Sequence, residues 1–337
     1  MKKLFFALSL TLSLSAFAQD APKTMHENAR AFMRQGDFNN AIIILNKALQ
    51  LDKDNLEIQK DLVMSYYYKR DYTKALEEVK KMTDRDDADV VTFQIAGNVY
   101  KALEEVKDAE KMYKKALKKF PNSGPLYSEY GELLWAKKDY SAIEQWEKGI
   151  KADPGFSGNY YNAALYYFYT KDKVWCLVYG EIFANMESLS ERGVAMKQLL
   201  LQAYKEKLFA EPDLLAGQQK NKNEFEKAFL TCMQRQSDLA SKGINTETLT
   251  MIRSRFILDW FDKYDSKYPF KLFDYQRQLL QEGMFAAYDQ WLFGAVENLS
   301  AYENWTKTHN DEYKNFTAFQ ANRIFKMPAG QYYQNNK

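Results

Sequence analysis

The residues whose side chains could act as nucleophiles or hold a metal are few. The chain of 337 residues has two histidines, His26 and His309, and two cysteines, Cys176 and Cys232. That count excludes a zinc cluster and a disulfide-stapled scaffold, both of which need more ligands or thiols at short spacings. Cys176 and Cys232 leave two readings, a disulfide in an oxidising compartment or two buried free thiols, and their wide separation favours the thiols. His309, within Thr308-His309-Asn310-Asp311, has the chemistry of a base. No Ser or Cys nucleophile motif accompanies it, so it reads as a lone surface histidine near a helix start. Acidic runs such as Glu77-Glu78 and Glu104-Glu105 have lysines nearby and read as solvated helix faces. No carboxylate pair for glycoside hydrolysis stands out among 45 acidic residues. A phosphate-binding loop, dinucleotide-binding glycines and a nucleophile elbow are all missing from the sequence. The expectation is a protein with no catalytic residues, no cofactor and no metal.

The elements behind these residues are helical. Apolar residues make up 46% of the chain and aromatics 15%, enough to bury a core, while 7 Pro and 14 Gly leave little room for loops. Ala and Leu outnumber Val and Ile, which favours helices over sheets and predicts an all-α fold. Lys2 and Lys3, the apolar run Leu4 to Phe17 and the Ala16-Phe17-Ala18 site form a secretory pattern, so residues 1–18 read as a signal peptide and the mature chain as starting at Gln19. The apolar stretch is short for a membrane span, and no later run reaches that length, so no membrane insertion is expected after cleavage. With Lys2 and Lys3 removed, basic and acidic residues balance. A neutral chain lacks the electrostatic footprint of a nucleic-acid binder.

Internal repetition is the strongest signal. Ala41, Ala75 and Ala109 recur at a step of 34 residues, and Ala142 follows one residue early. Phe32, Tyr66, Tyr100 and Leu134 keep the same step, with Tyr167 one residue early, and so do Phe38, Tyr72, Val106 and Tyr140. Ala48, Met82, Ala116 and Gly149 mark a second small or flexible position, and Pro121 and Pro154 close two units. Phe93-Ala96-Gly97-Tyr100 and Tyr127-Tyr130-Gly131-Leu134 carry the best-matched spacing. The pattern resembles the tetratricopeptide repeat, TPR. About five units cover residues 19–187. Met25 and Gln59 replace the leading aromatic in units one and two, unit four is one residue short, and unit five has Lys173 and Cys176 at core-type positions.

The resemblance implies a right-handed α-solenoid of helix-turn-helix units. A unit of this kind cannot bury its own face, so neighbours stack and share one core. It also implies that the first helix of each unit lines a concave groove for an extended peptide or a partner helix. Projected onto that pattern, Arg30, Tyr67, Lys101, Trp135 and Phe168 are the partner-binding residues, with Met33, Met64, Asn98, Glu132 and Leu165 beside them. Against this stands the reading that Tyr67, Trp135 and Phe168 pack under the later helices. The carboxylate clamp of some repeat cochaperones is not reproduced, because His26, Arg30, Asp61, Val91 and Ile95 occupy its places.

Residues 188–337 form a third, helical region in which the 34-residue step fades. Helical runs follow Ser190, Asn223 and Thr246, with Pro212 and Gly217 to Lys222 reading as a connection. The final stretch is dense in aromatics, and Gly283-Met284-Phe285 echoes the turn inside each repeat. This tail looks like the ending of secreted repeat proteins of Bacteroidetes type. The functional expectation is a non-enzymatic interaction scaffold of the cell envelope, periplasmic or secreted, with a protein or peptide partner. The alternatives are a glycan binder that stacks sugars on aromatics and, behind it, an all-helical enzyme.

Overall fold

A computed structural model describes residues 21–170, 172–216, 223–321 and 323–334. The expected signal peptide and the Gly217–Lys222 connection lie outside the described residues. Among those described there is no strand, as the composition predicts. No described helix is long and apolar enough to cross a membrane. The chain divides into two compact units at Pro121/Asn122.

The first unit holds α1 (21–34), α2 (Phe38–Leu51), α3 (Leu56–Tyr68), α4 (Tyr72–Thr83), α5 (Val90–Ala102) and α6 (Val106–Lys119). Each helix packs on the next, and α3 also touches α5. This is the stacking of paired helices that the repeat step predicts. Ala29, Ala41, Ala48, Ala75, Ala96, Ala109 and Ala116 are fully buried. Their small side chains let the paired helices approach, and Phe32 and Tyr66 fill the space beside them.

The turn within each pair repeats as strictly as the alanines. Gly36, Arg70 and Glu104 take positive φ of 76°, 66° and 57°. The next amide donates five residues back each time: Asp37 to the Phe32 carbonyl at 3.0 Å, Asp71 to Tyr66 at 2.9 Å and Glu105 to Tyr100 at 3.0 Å. This is a Schellman ending, which satisfies carbonyls that a helix end otherwise leaves bare. Asp37 and Asp71 then cap the following helix by accepting from the amides of Asn40 and Lys74. One residue thus ends one helix and starts the next.

The second unit opens with α7 (Gly124–Ala136), α8 (Ala142–Ala152), α9 (Ser157–Phe168) and α10 (Lys173–Met186). Lys138 carries the positive φ here, 61°, with Asp139 donating to Leu134 at 3.0 Å. After α10 come α11 (Glu191–Ala203), a π-helical turn Tyr204–Leu208, α12 (Glu224–Gln234), α13 (Ser237–Ala240), α14 (Thr246–Lys263) and α15 (Lys271–Gln281). The end is built from α16 (Phe285–Asp289), a second π-helical turn Gln290–Gly294, α17 (Ala295–Glu297), α18 (Leu299–Thr308), α19 (Asn310–Ala321) and an extended tail, 323–334. Gly283, at φ 70°, repeats the same turn, and the Met284 amide donates to Leu279 at 2.8 Å. The echo read from Gly283-Met284-Phe285 is therefore a real repetition of backbone geometry.

Helix α10 is buried from Val174 to Ala184. A helix apolar on every side needs cover on every side. Trp175 stacks on Phe225 of α12 at 5.4 Å, and Phe225 in turn meets Trp260, Phe270 and Phe273. The aromatic richness of the last third is thus a core that packs on the last repeat helix. Cys176 and Cys232 lie inside it as free thiols, and burial pushes both up to about 12.

Candidate functional site

In the first unit, the helices α1, α3 and α5 carry the residues read as partner-binding. Arg30 is half-exposed and its Nε donates to Asp61 Oδ2 at 2.6 Å, while His26 Nε2 lies 2.7 Å from the same oxygen. A second basic group, Lys60, is buried nearby, bonded to Glu57 at 2.7 Å and Asp89 at 2.6 Å. Burial acts to depress the Lys60 ammonium, but its hydrogen bonds to Asp89 and Glu57 outweigh that and raise it. Tyr67 is partly open, with its ring 5.6 Å from those of Tyr68 and Tyr72. Lys101 is exposed and makes no ion pair among the described residues. No direct contact joins Arg30, Tyr67 and Lys101. Arg30 is held instead by carboxylates of α3.

In the second unit, Trp135 is 39% exposed and meets Tyr140 at 5.9 Å and Tyr166 at 5.7 Å. The rings cross at 73° and 67°, so they form a stepped edge and not one flat platform. Tyr140 and Tyr169 are more open still. Phe168 departs from the expected exposure. It is buried, with the Lys207 ammonium 5.0 Å above its ring. Lys207 belongs to the π-helical turn after α11, an element outside the repeat step, in keeping with the alternative that Phe168 packs under later elements.

Sequence reasoning missed the acidic groups of the interior. Glu147 is fully buried and accepts from the hydroxyls of Tyr167 at 2.7 Å and Tyr179 at 2.8 Å, with Tyr332 of the tail as a third donor. Burial pushes its carboxyl up to about 7, against the pull of those three phenols. Elsewhere Arg253, 2% exposed, joins Glu181 and Asp289. Glu181 also accepts from Tyr288 at 2.7 Å and Gln276 at 2.5 Å. The cavity beside Glu181 and Arg253 is about 10 Å³, room for one water at most. Glu147 and Glu181 are thus engaged by partners, whereas Oδ2 of Asp289 is buried without a hydrogen bond among the described residues. His309 is exposed, stacks on Trp305 at 4.4 Å, and its Nδ1 lies 3.0 Å from the hydroxyl of the neighbouring Thr308. Among the described residues no group of His, Cys, Asp and Glu could hold a metal ion.

No family model matches this chain, and no curated protein matches it at a significant level. Solved structures do resemble it. MamA is 22% identical, with 56% of this chain and 94% of that one covered and a TM-score of 0.39. YrrB, described as a TPR protein with an unusual peptide-binding site, is 20% identical over 56% of this chain and 97% of its own, with a TM-score of 0.39. The pilF protein of Pseudomonas aeruginosa is 16% identical, covering 62% and 96%, with a TM-score of 0.48. Scores under 0.5 define neither family nor function here.

Proposed function

We propose that this chain is a non-enzymatic interaction scaffold, exported to the cell envelope, that takes an extended peptide or a partner helix on the faces of its first repeat helices. The observation that carries the reading is the contrast between open and closed groups. Trp135, Tyr140 and Tyr67 keep ring surface open to solvent and Lys101 is exposed, whereas the interior carboxylates Glu147 and Glu181 are enclosed and partnered. Half-open Trp and Tyr are the side chains that anchor interfaces, because they gain large contact area for few ordered bonds. The crossed rings around Trp135 favour a protein partner over a sugar, which stacks best on a flat face.

The test is capture of envelope proteins by the purified chain lacking residues 1–18, with Tyr67→Ala and Trp135→Ala variants alongside. Loss of one specific protein with unchanged melting supports the scaffold. Capture that is unaffected in both variants refutes the assignment of these residues. Elution by oligosaccharide alone would instead identify a glycan binder. Export is tested separately by N-terminal sequencing, where Gln19 is the expected first residue.

A further inference from the structure

The tail borders a second cavity of about 190 Å³ in the second unit, next to Tyr288, which Asn185 and Tyr275 of its lining both contact. Its walls are Asn185 of α10, Lys271 and Tyr275 of α15, Gln320 of α19, and Arg323, Ile324 and Phe325 of the tail. Two of these are cations and none is an acid. Lys271 is exposed and makes no ion pair among the described residues. Arg323 gives one bond to a neutral group, Gln278 Oε1 at 2.8 Å, and lays its guanidinium 3.9 Å over Phe319. Asp274, one turn beyond Lys271, is engaged by Arg277 at 3.4 Å and does not line the cavity.

Tyr275 adds an independent sign. Its side chain is buried, 7% exposed, and packs by its ring on Tyr288, Phe319 and Phe325. Its hydroxyl makes no hydrogen bond among the described residues. Tyr275 lines the cavity, and its hydroxyl is not sealed from solvent, so it is free to donate. Burial pushes the phenol up to about 12, against the pull of Arg323, so at neutral pH it carries its proton and can donate.

We propose that this cavity binds a carboxylate carried on a small apolar group, the anion set between Lys271, Arg323 and the Tyr275 hydroxyl and the apolar part against Phe325 and Ile324. Arg offers a planar fork to a carboxylate, and hydrogen bonds to a charged group are the stronger kind. The volume is of the size class of a small organic acid or the last residue of a peptide. The site does not depend on the interaction surface proposed above.

Calorimetry on the chain lacking residues 1–18 provides the test, with phenylacetate, its neutral amide, inorganic phosphate, and a peptide ending in Phe with a free or an amidated terminus. Phenylacetate should bind, and its amide should bind at least about tenfold more weakly. Lys271→Ala and Arg323→Ala, both at exposed positions, should each weaken binding about tenfold without moving the melting temperature. Tyr275→Phe should weaken it less, because only one donor is lost. A peptide that binds more tightly than phenylacetate and fails once amidated would identify the carboxylate as a chain terminus. A peptide that binds more weakly than phenylacetate, or not at all, would identify a free acid. The proposal is overturned if the amide equals the acid, if phosphate binds and phenylacetate does not, if no probe binds, or if the two alanine variants bind as the parent does.

Discussion

A Cβ added to Gly131 would lie 2.2 Å from Nε1 of Trp146, so the absence of a side chain on α7 is what admits the indole of α8. The indole N–H then reaches the Ser128 carbonyl at 3.2 Å, and Trp146 is 2% exposed. Gly131→Ala must displace a buried, hydrogen-bonded ring. We expect a loss of about 1–3 kcal/mol, the range for overpacking a close-packed core. Thermal and urea melts check this; an unchanged midpoint would mean that α7 and α8 are not in this contact.

Ala109 makes the same argument one repeat earlier. It is fully buried on α6, at the position that Ala41 and Ala75 also hold. Ala109→Leu should cost about 1–3 kcal/mol, while Ala136→Leu at an exposed site should cost little. Parallel melts of the two variants separate packing from a general effect of leucine.

These two positions show what the sequence discloses and what it withholds. The alanine series and the partner aromatics sit at one step because each unit must meet the next in the same way, so the helix pairs can be placed from residue types alone. The turn is visible only in part. Gly36 and Gly283 advertise a left-handed residue, but Arg70, Glu104 and Lys138 adopt the same conformation without a glycine, and only the spacing points to them. The interior ionic groups are not visible at all. Glu181, Arg253 and Asp289 come from three separate helices, and none differs in sequence from the many charged residues that face water. Phe168 is buried, as the second of the two readings expected, with Lys207 over its ring, a contact that no repeat position points to.

The turns yield a stabilising prediction. Arg70, Glu104 and Lys138 are exposed and pay the steric penalty of a Cβ at positive φ, about 1–2 kcal/mol. Glycine removes that penalty but loses about 0.5–1 kcal/mol to its own chain entropy. Lys138→Gly should therefore raise stability by roughly 0.5–1 kcal/mol. Combining it with Arg70→Gly should add to the gain, because the turns share no partner. A melt that falls with either change would contradict the left-handed assignment.

The pH dependence should carry the signature of Glu147. Its carboxyl is held up to about 7 by burial, with the hydroxyls of Tyr167, Tyr179 and Tyr332 and the carboxylate of Glu226 facing it. A raised carboxyl means that the folded chain keeps a proton that the unfolded chain has lost. The stabilising effect is complete below the ordinary carboxylate range and disappears as pH rises from there through about 7. Asp172, pushed up to about 8 by burial and by Glu226, acts in the same direction. Glu147→Gln keeps the shape of the protonated form and does not titrate. The variant should lose up to about 3 kcal/mol less stability than the parent between pH 4 and pH 8. Urea midpoints across that range decide it, and identical slopes would show that Glu147 does not titrate there.

The last prediction concerns Arg253 and its two carboxylates. Taking three charges out of water is costly, and their attraction offsets that cost only while all three are present. Arg253→Met would leave Glu181 and Asp289 buried together without a cation, since neither has a lysine or a second arginine bonded to it. The expected loss is about 3–5 kcal/mol. Protonation of the stranded carboxyls would soften that loss, so the variant should recover part of its stability as pH falls. Replacing the whole group, with Glu181→Gln and Asp289→Asn added to Arg253→Met, should restore much of the single variant's loss, because no uncompensated charge is left. The two results together distinguish an ionic group that is held because its members need one another from one that contributes net stability. If the triple variant is no more stable than Arg253→Met alone, the shape and donors of the arginine, and not its charge, are what the core requires.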